Sequence, residues 1–470
     1  MPIPQSASVK DAFERALGAI RARVSVSTGV GNTTLQRLAV AYSGGLDSAA
    51  LLHLAHAYAN EHGVALFAFH IHHGLSSNAD AWLLHCEAEC ARLGIHFGAR
   101  RVNLADRERD GIEQAARISR YAALGELCRL HEIPLLLTAH HQDDQAETVL
   151  LQLLRGAGVA GLSGMDLLST APGLLGDERL MIGRPLLELS RARLEEFAAR
   201  QSIGHVEDES NADLRYARNV LRHEVMPSLG KYFPGFQQRL ARAAQHAQSA
   251  QRMLNELAAH DLADCAEAEC IDIACLRQLS SDRIDNVLRH WFVLNDVRMP
   301  STAWLGEMRA QLLDARADAQ VLVTHADCEI RRHRGKIYLV PRMPDTAALL
   351  APVAFRWNGE AGIPFTEYGG ILHFDLTEEG IGADWLRGQA LHLRWRSGGE
   401  KLKPAADRPT KSLKHHFQAL DIPPWERSRL PVVTTDAGVL LFAAGVGMNW
   451  RNVPMVAGTG VRLRWERKLP

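Results

Sequence analysis

From Leu38 to about Leu154, short apolar runs alternate with longer stretches in which apolar residues recur every three or four positions. "LAVAYS" leads into one helical pattern, "VALFAFHIHHG" into "SSNADAWLLHCEAECARLG", "FGARRVNL" into "GIEQAARISRYAALGELCRLH", and "PLLLTAHH" into "DDQAETVLLQLLRG". Strand-like runs alternating with helices of this length predict a parallel sheet covered on both faces. A connector rich in Gly, Pro and Leu spans Leu167 to Asp177, and "RPLLELSRARLEEFAARQSI" then reads as a strand end followed by an amphipathic helix. The pattern is mainly helical from Phe236 to about Asp314, and from about Val321 it changes to short β-like runs punctuated by Gly and Pro. The expected organisation is an α/β parallel-sheet nucleotide-binding domain over 1–228, a helical domain over 229–320, a connecting region over 321–385 and a small mixed α+β domain over 386–470.

Composition narrows the class without pointing to a partner. The 470 residues are 47% hydrophobic and 23% charged with a formal net charge of −1, which is ordinary for a globular protein and excludes disordered and fibrous classes. No apolar run approaches the roughly 18 residues of a membrane span, and "MPIPQSASVKDAFERALGAI" lacks a signal-peptide pattern, so a cytoplasmic location and no membrane partner are expected. The seven cysteines contain no C-x-x-C pair; free, mostly buried thiols are expected, and zinc-ribbon and iron–sulfur sites are disfavoured.

Candidate chemistry concentrates where strands lead into helices, the place at which open parallel sheets bind ligands. In "SGGLDS", Ser43 to Ser48, Gly44 and Gly45 let the backbone turn tightly and present N–H groups to an anion, while the following helix end adds partial positive charge. No Gly-Lys-Ser/Thr follows, so this is not a Walker A loop. A carboxylate at Asp47 would repel phosphates unless Mg²⁺ lay between; the plainer reading is a turn capped by Asp47 or Ser48. In "TAHHQDDQAETVLLQLLRG", Asp143, Asp144 and Glu147 share one side of the first helical turns, and a hard cation would relieve their repulsion. Helix N-terminal preference explains one such acid better than three, and it leaves His140-His141 unexplained.

"SGGLDS" resembles the pyrophosphate loop of the ATP pyrophosphatase superfamily, which cleaves ATP between the α- and β-phosphates. "HHQDDQAETVLLQLLRGAGVAGLSGM" together with "HIHHGL", "EQAARISRYAAL", "RPLL", "VEDESNADLRYARNVLRHEVMP", "RWRSGGEKLKP" and "KSLKHHFQALDIPPWERSRLPVV" resembles one family within it, the tRNA(Ile)-lysidine synthetases. That resemblance implies an ATP- and Mg²⁺-dependent ligase acting on a tRNA(Ile) with anticodon CAU. The C2 oxygen of the wobble cytidine attacks the α-phosphate, pyrophosphate leaves, and the side-chain amine of free lysine displaces AMP at C2. It further implies an ATP site of Ser43, Gly44, Gly45, Leu46, Asp47 and Ser48, with the backbone around Phe69, His73 and Gly74 bordering the adenine. Asp47, Asp143, Asp144, Arg117 and Arg218 become the candidate catalytic residues, with Asp47 and Asp144, or Asp143 in place of Asp144, as metal ligands. Arg117 and Arg120 are expected near the α-phosphate, Arg218, Asn219 and Arg222 near the tRNA or the activated base, and Asp144 or Glu147 near the lysine amine. Oligomeric state is left open, a homodimer being compatible with the sequence.

Local charge supports an RNA partner where net charge does not. Residues 394–414 carry seven basic side chains, Lys401, Lys403 and Lys411 among them, against Glu400 and Asp407, a local balance of +5. Three rivals remain: a thiolase of the same superfamily, which generally needs a cysteine pair; a non-catalytic tRNA binder, which has no use for so many acids beside phosphates; and a glutaminase-linked pyrophosphatase, whose reactive Cys segment is not found.

Overall fold

The computed structural model describes residues 8–28, 36–74, 76, 78–102, 112–207, 209, 213, 215, 217–316, 319, 321–342, 350–451 and 453–467. Residues 103–104, the end of the third predicted strand, and Leu214 and Tyr216 of the arginine-bearing segment lie outside them. The chain divides into two compact units, Met1–Leu257 and Ala258–Pro470.

The first unit runs α1 (Val9–Thr28), β1 (Arg37–Ala41), α2 (Leu46–His62), β2 (Ala65–His72), α3 (Ala79–Leu93), β3 (His96–Arg101), α4 (Ile112–Leu130), β4 (Leu135–Leu137) and α5 (Gln142–Leu154). It continues through α6 (Val159–Leu162), β5 (Leu168–Thr170), α7 (Pro172–Leu175), β6 (Met181–Gly183), α8 (Arg191–Arg200), α9 (Ala217–Val220), a π turn at Leu221–Val225, α10 (Met226–Tyr232) and α11 (Phe236–Cys265). Six strands form one sheet in the order β3-β2-β1-β4-β6-β5, parallel except for β5 at the edge. Successive residues of β1 and β4 point to opposite faces, and both faces are dry. Leu38, Val40, Leu135 and Leu137 pack with α1, α2 and α8, while Ala39 and Leu136 pack with α4 and α7. That two-sided burial is why the strands read as continuous apolar runs. The segment read as a connector holds the edge strand β5 and α7, and α1, which the alternating pattern does not announce, covers one face.

Strand order reverses between β1 and β4, whose registers align Ala39 with Leu136 and Val40 with Leu137. The turns leaving these two strands therefore flank a crevice at the carboxyl edge of the sheet, which is where such folds bind ligands.

In the second unit, β7 (Ala266–Glu267), β8 (Cys270–Asp272), β9 (Leu322–Thr324), β10 (Cys328–His333) and β11 (Lys336–Pro341) form an antiparallel sheet in the order β7-β8-β11-β10-β9. Its core is shared with α12 (Ile273–Leu276), α13 (Ser281–Leu294) and α14 (Thr302–Asp314). The remaining strands are β12 (Val353–Phe355), β13 (Gly362–Phe365), β14 (Gly370–Gly382), β15 (Leu391–Trp395), β16 (Lys401–Leu402), β17 (Lys411–Ser412), β18 (Pro431–Thr435), β19 (Leu440–Ala443), β20 (Gly447–Met448) and β21 (Met455–Arg467). With α15 (Ala383–Arg387), α16 (Leu413–Ala419) and α17 (Pro424–Arg427) they build three further antiparallel sheets.

One cysteine expectation is corrected. Cys265 and Cys275 form a disulfide, their Cα atoms 5.3 Å apart, because the β7–β8 hairpin folds the chain back and brings the end of α11 against α12. The other five thiols are free and buried. Among the described residues no helix is long and apolar enough to cross a membrane.

Candidate active site

The turn after β1 is held from within. The Ser48 hydroxyl accepts from the Ser43 N–H (3.2 Å), donates to the Gly45 carbonyl (2.9 Å) and lies 3.0 Å from the Ser43 hydroxyl. Gly44 sits at φ 88°, and a Cβ there would lie 2.9 Å from the Cys86 sulfur, so both backbone conformation and space require glycine. Gly45 caps α2 in extended conformation, with no side chain on the helix's first N–H groups, and Leu46 tucks into the core as the helix starts. Donors at this helix end are thus left for an anion. Behind the loop, burial pushes the Cys86 and Cys90 thiols up to about 12, so neither is a thiolate near neutral pH.

The turn after β4 and the start of α5 bring His141, Asp143 and Asp144 to the same crevice as Asp47. His141 caps α5 in a capping box: Asp144 Oδ2 accepts from the His141 N–H (3.0 Å), and His141 Nδ1 accepts from the Asp144 N–H (3.4 Å). Asp143 reaches away, its Oδ2 accepting from the Arg191 N–H (2.9 Å) at the start of α8. Two of the three acids are thereby explained by helix ends, one of them the end of a different helix. Asp47 Oδ2 is 3.6 Å from His141 Nε2, while its Oδ1 is buried with no hydrogen-bond partner.

Arg218 and Arg222, one helical turn apart, arrive from about seventy residues downstream. Arg218 Nε donates to Glu147 Oε2 (2.7 Å) and Arg222 Nε to Glu147 Oε1 (2.7 Å), and a terminal nitrogen of each donates to Asp144 Oδ1 (3.2 Å). Glu147 is 1% exposed. The repulsion among the acids that suggested a cation is therefore relieved largely by these two guanidinia and His141. Among the described residues no group of three or more His, Cys, Asp or Glu is arranged to hold a metal. The orphaned Asp47 oxygen still fits a single ligand position for Mg²⁺, which ordinarily takes one or two carboxylates and completes its shell with water and substrate phosphates.

The two histidines are pushed in opposite directions. Burial, helped by Arg184, Arg218 and Arg117, drives His140 down to about 3 despite Asp144. For His141 burial also opposes the charge, but the carboxylates of Asp47, Asp144 and Asp143 at 3.4–3.8 Å outweigh it and raise its pKa. The capping contact needs an unprotonated Nδ1 and works against this, yet at 3.4 Å it is the weaker demand. His140 therefore contributes its full stability above its unfolded value of about 6.5, a contribution lost as pH falls toward 3; that of His141 is full below 6.5 and lost as pH rises through its raised value. At pH 6.5, ¹⁵N-histidine spectra assigned by single substitutions should show His140 neutral and His141 mostly charged. A His141 midpoint below 6.5 would contradict this arrangement.

The other expected residues fall in several places. Arg117 lies over the Tyr121 ring (4.9 Å), and its charge adds to the burial that lowers the pKa values of His140 and Arg184. Arg120 Nε donates to His73 Nε2 (3.0 Å), tying α4 to the turn after β2, where Gly74 has φ 66°. The Phe69 ring is buried under α4 against His131, so only its backbone, whose carbonyl accepts from the Tyr42 N–H (2.9 Å), is near the sheet edge. Asn219 is buried and donates to the Asp213 carbonyl (2.9 Å), bracing the arginine segment. In the second unit Lys401 and Lys411 sit on the paired strands β16 and β17, Lys401 exposed and Lys411 Nζ 2.8 Å from His415 Nε2, while the Lys403 N–H donates to Asn449 (3.0 Å). Arg394 is paired with Glu400 (3.1 Å).

Two residues were not singled out from the pattern. His141 was signalled only by the unexplained "HH". Arg184, in "RPLL", is buried, donates to the Asp166 carbonyl (2.8 Å) and the Ser169 hydroxyl (3.0 Å), and keeps a buried Nε without a partner. Next to the acids, a cavity of about 450 Å³ is lined by His141, Asp143, Glu147, Arg191, Glu195, Arg222 and, from α10 and α11, Met226, Pro227, Gly230 and Gln237.

Three family models match the chain: a PP-loop domain over residues 19–229, a TilS substrate binding domain over 271–338 and a TilS substrate C-terminal domain over 391–465. The tRNA(Ile)-lysidine synthase of Ralstonia nicotianae is 40% identical over 437 residues, covering 91% of this chain and 92% of that protein. Those of Coxiella burnetii and Nitrosomonas europaea are 39% and 34% identical, covering 85% and 92% of this chain and 87% and 92% of theirs.

Proposed function

The chain belongs to the tRNA(Ile)-lysidine synthase family, an ATP-using PP-loop ligase, and from that premise we propose that it converts the wobble cytidine of a CAU-anticodon tRNA(Ile) to lysidine in two steps. In the first, the cytidine C2 oxygen bonds to the α-phosphorus of ATP and pyrophosphate leaves. In the second, the side-chain amine of free lysine bonds to C2, the C2–O bond breaks, AMP departs with that oxygen, and the amine loses its proton.

The observation that carries this reading is the convergence, at the switch point of one sheet, of an anion-accepting turn and a charged cavity. Ser43, Gly44, Gly45 and Ser48 would hold pyrophosphate through backbone donors, and Asp47 would hold Mg²⁺. The metal, when bound with ATP, supplies charge neutralisation for phosphoryl transfer. Arg117 and Arg120 would lie toward the α-phosphate. Arg218 and Arg222, already charged and aimed by Glu147 and Asp144, would meet the negative charge that develops on the base oxygen and α-phosphate without reorganising. The cavity carries carboxylates of Asp143, Glu147 and Glu195 and guanidinia of Arg191 and Arg222, a mixture suited to a zwitterion bearing a further ammonium group, as free lysine does. One of these carboxylates would accept the proton that the amine gives up. Lys401, Lys403 and Lys411 would bind tRNA phosphates.

The test is incubation with labelled lysine, ATP, Mg²⁺ and tRNA transcripts. Label should enter only CAU-containing tRNA(Ile), with AMP and pyrophosphate released in equal amounts. ADP as the stoichiometric product, or unlabelled RNA, would overturn the reading.

A further inference from the structure

The segment joining α10 to α11 keeps some of its apolar residues and offers others to solvent. Met226 and Phe236 are buried against Ala146 with Leu229 packed beside them, so these positions serve the fold. Tyr232 and Phe233, between them, are 71% and 58% exposed. Their place is set by the cavity beside the acids: Gly230 on one side of the pair and Gln237 on the other both line it. Two adjacent aromatic rings thus stand in the turn bordering the cavity, with no packing duty to explain them. The surroundings are basic. Lys231 Nζ lies 5.4 Å from the Tyr232 ring centroid, and the exposed Arg239 is held beside the turn by donating to the Pro234 carbonyl (2.7 Å).

Reaction at C2 of a cytidine requires that base to leave the stack of its loop, which removes contacts from the bases on either side. Unpaired bases are held on aromatic faces, with basic groups meeting the neighbouring phosphates. We propose that Tyr232 and Phe233 are the stacking platform for the anticodon-loop nucleotides adjoining the wobble cytidine, with Lys231 and Arg239 on the adjoining phosphates. The inference rests on the tRNA reading above and adds to it the residues that compensate for unstacking. It accounts for exposed rings next to a charged cavity, and the charge of the turn matches a polyanion.

The test uses the full chain and a tRNA transcript carrying 2-aminopurine next to the wobble cytidine. Wild-type protein should quench the probe by stacking. Tyr232→Ala/Phe233→Ala should abolish the quenching and lower kcat/KM for tRNA by roughly 10- to 100-fold, with ATP affinity unchanged. The swap Tyr232→Phe/Phe233→Tyr should restore both, and Tyr232→Leu/Phe233→Leu should restore neither, because it keeps apolar bulk but not aromatic faces. Wild-type quenching and kcat/KM in the alanine or leucine pair would overturn the proposal. Because quenching does not depend on lysine transfer, a wild-type protein that quenches but attaches no lysine would sink the two-step reading and leave the platform standing.

Discussion

Asp47→Asn should lower lysine transfer at saturating ATP and Mg²⁺ by at least about 100-fold, roughly 2.7 kcal/mol of transition-state stabilisation, while leaving the fold intact. The substitution keeps the shape of the side chain and removes one charge. In the free protein Oδ1 is buried without a partner, while Oδ2 faces the His141 ring at 3.6 Å, and the carboxylate joins Glu147 and Asp144 in raising the Arg222 pKa against its burial. Neutralising it relieves repulsion with the neighbouring acids but gives up attraction to His141 and Arg222, so thermal stability should fall modestly where His141 is charged. The larger effect should appear in turnover, where a candidate ligand for the cation that accompanies ATP is missing. A second readout separates this from a local distortion. His141 loses one of the carboxylates that raise its pKa, so its titration should move toward lower pH in the variant. Near-normal turnover at saturating Mg²⁺ would make Asp47 a helix-end residue and nothing more.

Glu147→Gln should be costly in both stability and rate. The carboxylate is buried and receives three hydrogen bonds of 2.7–3.0 Å from Arg218 and Arg222, so an amide there must reject some of these donors and leaves two guanidinia sharing Asp144. Breaking a buried pair from one side costs several kcal/mol; because Arg218 and Arg222 keep 33% and 24% side-chain exposure, about 2–3 kcal/mol is expected. Turnover should fall by about 100-fold as the arginines lose their aim. Glu147→Gln/Arg222→Gln should be less destabilised than the sum of the single variants, since the second change removes a cation the first left unpaired. Thermal melts of the four proteins decide the point, and strict additivity would show that the buried carboxylate and Arg222 do not act together.

Local sequence determined a good deal of this protein. The alternation of apolar runs with helical patterns was enough for a parallel sheet, because burial of both faces leaves its mark on every strand. "SGGLDS" was enough for a tight strand-to-helix turn with uncapped helix-end donors, because glycine conformation and helix-end donors are properties of a few neighbouring residues. The spacing of Asp143, Asp144 and Glu147, and of Arg218 and Arg222, was enough to place each set on one helical face. What each set faces was decided by tertiary structure alone. Nothing within either segment says that Glu147 meets guanidinia about seventy residues away, that Asp143 turns aside to α8, or that Asp47 keeps an unpartnered oxygen. The same holds for the disulfide across the β7–β8 hairpin and for β8 and β11, which pair across the change of pattern near Val321. Periodicity records which way a side chain points along its own element, a matter of backbone geometry over a few residues. Partners from distant elements depend on how loops close and faces pack, and a single chain's pattern carries no record of that.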